Sequence, residues 1–158
     1  MKNLLFWGIA ISIILSNGNS LASSAIGPRP EIKINIEKEW KGYRSGYTEP
    51  KRLVISTLEE WEEVWKNVHS LVIPRPELPE IDFGKEMVIA VFMGERNSGG
   101  YEVEIIKIVD TGEEIVIKVK EKELPLESFQ TMALTQPYHI VVIKKYTLPV
   151  SFGFFKSQ

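Results

Sequence analysis

His69 and His139 are the only imidazoles in the chain, and there is no cysteine. A hydrolase built on an activated nucleophile would therefore need one of these two beside a serine or threonine. His69 falls at the end of an expected helix, where an imidazole commonly caps carbonyls or meets the dipole. His139 lies inside an apolar strand pattern, where a place in the sheet is the simpler role. Ser98 precedes Gly99 and Gly100, but a nucleophile elbow needs GxSxG between a strand and a helix, and a strand pattern follows here. The same context argues against a phosphate loop, because these glycines neither fit GxxxxGK[ST] nor open a helix. Metal chemistry is equally bare: there is no HExxH, and Asp110-Thr111-Gly112-Glu113-Glu114 is too short for a calcium loop. Asp82 and Glu86 could work as an acid–base pair only if the fold brought them together, and an Asp before a strand is ordinarily a turn or cap residue. The sequence thus predicts a protein that is not an enzyme, with no metal and no cofactor.

What remains is a binding surface. Glu95, Arg96, Asn97, Ser98, Gly99, Gly100 and Tyr101 form a polar, glycine-rich loop between two β-patterned stretches. Glycine serves where the backbone needs positive φ or close approach, Arg96 can make charge-assisted contacts, and aromatic residues anchor interfaces. Tyr43 and Tyr47, set among Gly42, Ser45 and Gly46, are the expected aromatic companions. The plainer reading of residues 94–101 is a hairpin turn with extra glycines.

The elements that would hold these loops follow from periodicity. Ile32, Ile34 and Ile36 alternate with polar residues as a half-buried strand. Trp40 to Tyr47 reads as a glycine-bent aromatic loop or hairpin, and Leu53 to Ile55 as a short strand. Ser56 and Thr57 with Glu59 and Glu60 start a helix running to about His69, its stripe being Leu58, Trp61, Val64, Trp65 and Val68. Pro74, Pro76 and Pro79 keep residues 70–81 extended. Met87 to Met93 is a continuous apolar run, as in a strand covered on both faces. A fourth strand starts at Tyr101, and its change of phase predicts a β-bulge near Ile105. Asp110-Thr111-Gly112 turns it into a partner strand from Ile115. Leu124 to Gln136 is a crossover, Tyr138 to Lys145 another apolar strand, and Val150 to Phe154 a short edge segment after Pro149. The expected fold is α+β, a mainly antiparallel β-sheet curling toward a barrel or sandwich, with one amphipathic helix packed on it.

Export is expected from the first residues. Lys2, the apolar run Leu4 to Leu15, and small residues through Ala25 read as a signal peptide over 1–25, followed by a single domain over 26–158. Without cysteine there is neither a disulfide nor a lipoprotein anchor. The 158 residues carry a formal charge of −2; loss of Lys2 leaves 18 basic against 21 acidic residues, or −3. No basic patch points to nucleic acid.

In order, Gly42 to Tyr47 (GYRSGY), Glu60-Trp61 with Trp65, Ile81-Asp82-Phe83 leading into Met87 to Phe92, Gly94 to Tyr101 (GERNSGGY) and Thr135 to Tyr138 (TQPY) resemble the C-terminal domain of PrcB. The resemblance covers most of the chain after the signal. It implies a non-catalytic subunit of an exported protease complex that assembles or stabilises its partner protease, in the periplasm or outside the cell. The stretch NSGGY is also similar to the glycine-bearing loop of chagasin-like protease inhibitors, which leaves inhibition as an alternative. An enzyme of unrecognised type and a structural envelope protein complete the alternatives.

Overall fold

The computed structural model describes residues 31–123 and 133–157. The expected signal over 1–25 and residues 124–132 of the crossover lie outside the described residues. The described chain forms β1 (Ile32–Lys33), β2 (Lys38–Gly42), β3 (Lys51–Ile55), α1 (Leu58–Val68), β4 (Glu86–Phe92), β5 (Glu102–Asp110), β6 (Ile115–Lys122), β7 (Tyr138–Lys144) and β8 (Val150–Ser157). One sheet has the order β1-β5-β6-β8, the other β2-β7-β4-β3. The architecture is α+β and β-dominated, two stacked sheets that do not close into a barrel, with the helix as a third layer.

The central pair β4 and β7 runs antiparallel, from Glu86 opposite Lys144 to Phe92 opposite Tyr138. Its alternate residues face two different cores. Met87, Ile89, Val91, Val141 and Ile143 meet Val103, Ile105, Ile108, Ile115, Ile117 and Val119 of the other sheet. Val88, Ala90, Phe92, Tyr138, Ile140 and Val142 meet Trp61, Val64, Trp65 and Val68 of the helix. Burial on both faces explains why both strands read as unbroken apolar runs.

Helix α1 is capped as its sequence predicts. Thr57 Oγ1 accepts from the Glu60 amide at 3.3 Å, and Glu60 Oε2 accepts from the Ser56 amide at 3.0 Å. Trp61 is wholly buried and Trp65 nearly so. Their indole N–H groups donate to the carbonyls of Pro79 at 3.0 Å and Pro76 at 3.1 Å, fastening the proline-rich segment along the helix. The bulge is also present: register in β5 shifts between Ile105 and Lys107, leaving Ile106 exposed while Ile105 and Ile108 are both buried.

Five local expectations change. Trp40 belongs to strand β2, paired with β7, and its ring lies 5.6 Å from both Trp61 and Trp65, so it is a packing residue and not part of an aromatic loop. The first strand shrinks to two residues because the chain changes sheets there: the Ile34 amide donates to Ile108 O in one sheet, the Glu37 amide to Val142 O in the other. Leu58 is exposed, since the buried stripe begins one turn later at Trp61. Residues 94–101 join β4 of one sheet to β5 of the other, so they are an inter-sheet connection and not a hairpin. Strand β8 is an edge strand as expected, but longer, and it pairs parallel to β6, from Ile115 opposite Val150 to Lys122 opposite Ser157.

Trp61→Ala should cost roughly 3 to 5 kcal/mol of unfolding free energy, because it empties a fully buried site. Leu58→Ala should cost less than about 1 kcal/mol, as an exposed position does. Urea unfolding of the two variants checks this; equal losses would show that the helix buries a different face.

Candidate functional site

Three loops meet at one end of the sandwich, and Gln136 joins them. Its amide donates to Tyr43 O at 2.7 Å, its Oε1 accepts from the Gly46 amide at 2.9 Å, and its Nε2 donates to Glu95 Oε2 at 3.0 Å. Arg96 and Thr135 exchange backbone hydrogen bonds at 2.8 and 2.9 Å, and Thr135 Oγ1 donates to Ser98 O at 2.8 Å. The Glu95 amide donates to Thr48 O at 2.8 Å. Two glycines make this closeness possible. Gly46 has φ of 73°, and a Cβ there would lie 2.6 Å from Asn67 O at the end of the helix; Gly94 has φ of 77°, and a Cβ there would lie 2.9 Å from Thr48 O.

The predicted contact residues divide by exposure. Tyr43, Glu95, Asn97 and Gly100 are exposed, and Arg96, Gly99 and Tyr101 half-buried. Ser98 is buried, its carbonyl held by Thr135. Tyr47 is buried as well: its ring centroid lies 4.2 Å from that of Phe92 and its hydroxyl accepts from Asn67 Nδ2 at 3.1 Å. Burial pushes the Tyr47 phenol pKa up. Tyr47 is therefore a core residue and not an exposed anchor, because the turn at Gly46 folds it back onto the sheet. The Arg96 guanidinium lies 5.7 Å from the Tyr101 ring. Gly99 meets nothing within 4 Å of a built Cβ, so neither space nor backbone demands glycine there; Gly100, at φ of 90°, needs it for conformation.

Tyr43 stands between two concavities. One, of about 200 Å³, is lined by Lys41, Gly42, Tyr43, Glu104, Pro137 and Tyr138 among others. The other, of about 420 Å³, includes Tyr43, Arg44, Val68, His69, Leu71 and Val72. Sequence reasoning missed Gln136 as a site residue, although TQPY marked its position. It also missed Leu71, Val72 and Ile73, which are too few to show any period.

Beside the smaller concavity, the two sheets are joined by polar groups. Lys41 of β2 pairs with Glu104 of β5, and the contact holds the Glu104 carboxyl below and the Lys41 ammonium above their ordinary values. His139 of β7 is only 1% exposed, and its Nδ1 accepts from the Ile105 amide of β5 at 2.8 Å. This hydrogen bond assigns the neutral ring's proton to Nε2. Nε2 lies 3.4 Å from Glu39 Oε2 without forming a hydrogen bond. Burial first, and Lys41 second, push the His139 pKa below its usual value, against the opposing pull of Glu39 and Glu104.

The other candidates for chemistry have structural partners. His69 Nδ1 lies 3.1 Å from Trp65 O, closing the helix. Asp82 does meet Glu86, but through its own amide, which donates to Glu86 Oε2 at 3.0 Å, while its carboxylate holds Gly84 N and Lys85 Nζ in a turn. Lys85 in particular keeps the Asp82 pKa low. Among the described residues, no three carboxylates or imidazoles group closely enough to hold a metal ion.

Residues 87–144 match a family model described as PrcB C-terminal, which supports the resemblance found in the sequence. The match runs from β4 to β7 and contains two of the three converging loops, those at 94–101 and 133–137. No curated protein and no solved structure matches the chain.

Folding stability should fall as the solution is acidified. With the folded-state pKa of His139 depressed, its contribution is complete above the unfolded-state value of about 6.5 and is lost as pH falls from there through the folded-state pKa. Protonation would put a hydrogen on Nδ1 facing the Ile105 N–H, with Glu39, Lys41 and Glu104 as the surrounding charges. Urea unfolding between about pH 7.5 and 5.5 in wild type and His69→Gln should show the same decline. A flat profile, or a decline abolished by His69→Gln, would contradict this assignment.

Proposed function

We propose, from the PrcB C-terminal match over residues 87–144, that this chain is an exported, non-catalytic protein-binding module that assembles or stabilises a partner protease. The observation that carries the reading is the fastening of three loops through Gln136, which holds Tyr43 and residues 95–101 on one face. A surface set by hydrogen bonds before the partner arrives loses little conformational entropy on binding. Tyr43 supplies an aromatic anchor, and Glu95, Asn97 and Arg96 supply polar contacts around it. The candidate acids, bases and nucleophiles are instead occupied in caps, turns and the sheet seam, which favours binding over catalysis.

Export rests on the amino-terminal sequence pattern. Intact-mass measurement on protein from the native envelope should give a mature chain starting at Ser23 or Ile26. Retention of Met1 with tight membrane association would defeat the export reading.

For the binding face, affinity capture from the native envelope compares wild type with Gly99→Val and Tyr43→Ala. Gly99→Val adds bulk where the structure has open space, so it should leave thermal stability unchanged yet weaken capture of a protease. Tyr43→Ala should weaken it by roughly tenfold or more. Gly100→Val is a poorer probe, since a side chain at positive φ costs about 1 to 2 kcal/mol by itself. Equal recovery of the partner by all three proteins would show that binding uses another face.

A further inference from the structure

Directly after the helix come Leu71, Val72 and Ile73, which are 79%, 46% and 95% exposed. Single exposed aliphatic residues are ordinary on a protein surface, but three in sequence beside a cleft are not. Leu71 and Val72 form one wall of the 420 Å³ concavity, whose far wall is Tyr43 and Arg44, so the strip is continuous with the loop face described above. A separate groove is lined by Lys66 and Arg75 with Glu62, Trp65, Pro76 and Leu78. Arg44, Lys66 and Arg75 form no ion pair with a described residue. The strip is thus an apolar surface with Arg44 across the concavity and Arg75 two residues beyond Ile73, neither in an ion pair among the described residues.

We propose that Leu71, Val72 and Ile73, with Arg44 and Arg75 beside them, take an apolar segment of a protein partner whose large side chains are flanked by Asp or Glu. The proposal rests on the protein-binding reading and specifies the chemistry of that partner. Charge complementarity selects this occupant over two others. A second copy of the chain meeting this strip about a two-fold axis would set the same cations against one another. An anionic bilayer would also meet Glu59, Glu62 and Glu63, which are exposed on the adjoining helix face. A narrow acidic–apolar segment need contact only the strip with Arg44 and Arg75, and not the width of that helix face.

The test is to pan the mature protein against a phage library of random dodecapeptides, then measure synthetic copies of the enriched peptides by fluorescence anisotropy. The enriched peptides should combine at least two large apolar residues with neighbouring Asp or Glu. Leu71→Ser with Ile73→Ser should weaken them by roughly tenfold or more, with unchanged circular dichroism because both sites are exposed. Arg44→Glu with Arg75→Glu should weaken them similarly, whereas Gly99→Val should not. The proposal is overturned if no peptide is enriched, if acidic residues are absent from those that are, or if the strip variants bind equally well. It is also overturned if the serine variants abolish a dimer in sedimentation, or abolish binding to phosphatidylglycerol vesicles. Peptides that respond to Gly99→Val and ignore the strip would overturn this inference alone and leave the protein-binding reading in place.

Discussion

The pairing of β4 with β7 constrains everything else, because both strands are apolar on both faces and each face must be covered. One cover is the second sheet. The other is α1, whose tryptophans are large enough to fill the gap but bring two indole N–H groups that need acceptors. Pro76 and Pro79 provide carbonyls for them, which is why the segment after the helix lies along it and does not run free. The proline residues prevent that segment from continuing the helix, and their carbonyls satisfy the groups the helix buries.

The convergence of the loops follows from register. Tyr138 is opposite Phe92 on one side and Gly42 on the other. Three chains therefore leave the sheet at one level: one toward Gly94, one toward Tyr43, and one arriving through Thr135 and Gln136. The Met93 amide bonded to Pro137 O and the Arg96–Thr135 bridge extend the β4–β7 ladder beyond its regular end. Gln136 then needs only one side chain to reach both neighbouring loops. A one-residue slip of β7 would turn the buried residues to the wrong face and separate these loops, so the packing of the core specifies the geometry of the loop end.

Legibility in the sequence followed the range of the interaction involved. The cap at Thr57, the buried tryptophans, the bulge after Ile105 and the turn at Gly112 all depend on neighbours a few residues away, and periodicity or turn chemistry exposes them. Trp40 has the local pattern of a loop because Gly42, Ser45 and Gly46 follow it closely; its strand exists through pairing with β7, roughly a hundred residues later. The hairpin reading of 94–101 failed for the same reason, since nothing local says that β4 and β5 lie in different sheets. Within the site, the exposed position of Tyr43 agreed with its sequence context, whereas Tyr47 followed the positive φ at Gly46 into the core. The match over residues 87–144 speaks to the family and not to which side chains touch a partner.

The two long margins of the sandwich are closed by different chemistry. Arg52 of β3 lies 3.8 Å over the Phe154 ring of β8, a contact between a guanidinium cation and an aromatic face. At the opposite margin, Lys41 with Glu104 and His139 with the Ile105 amide hold β2 and β7 to β5. The ion pair is substantially exposed and contributes little when screened by salt. The buried imidazole is the more demanding closure, because it must remain neutral to accept from Ile105. His139 is adjacent in sequence to Tyr138, the residue at which the three loops leave the sheet. Loss of that one hydrogen bond would therefore loosen the margin beside the point where the loops leave the sheet.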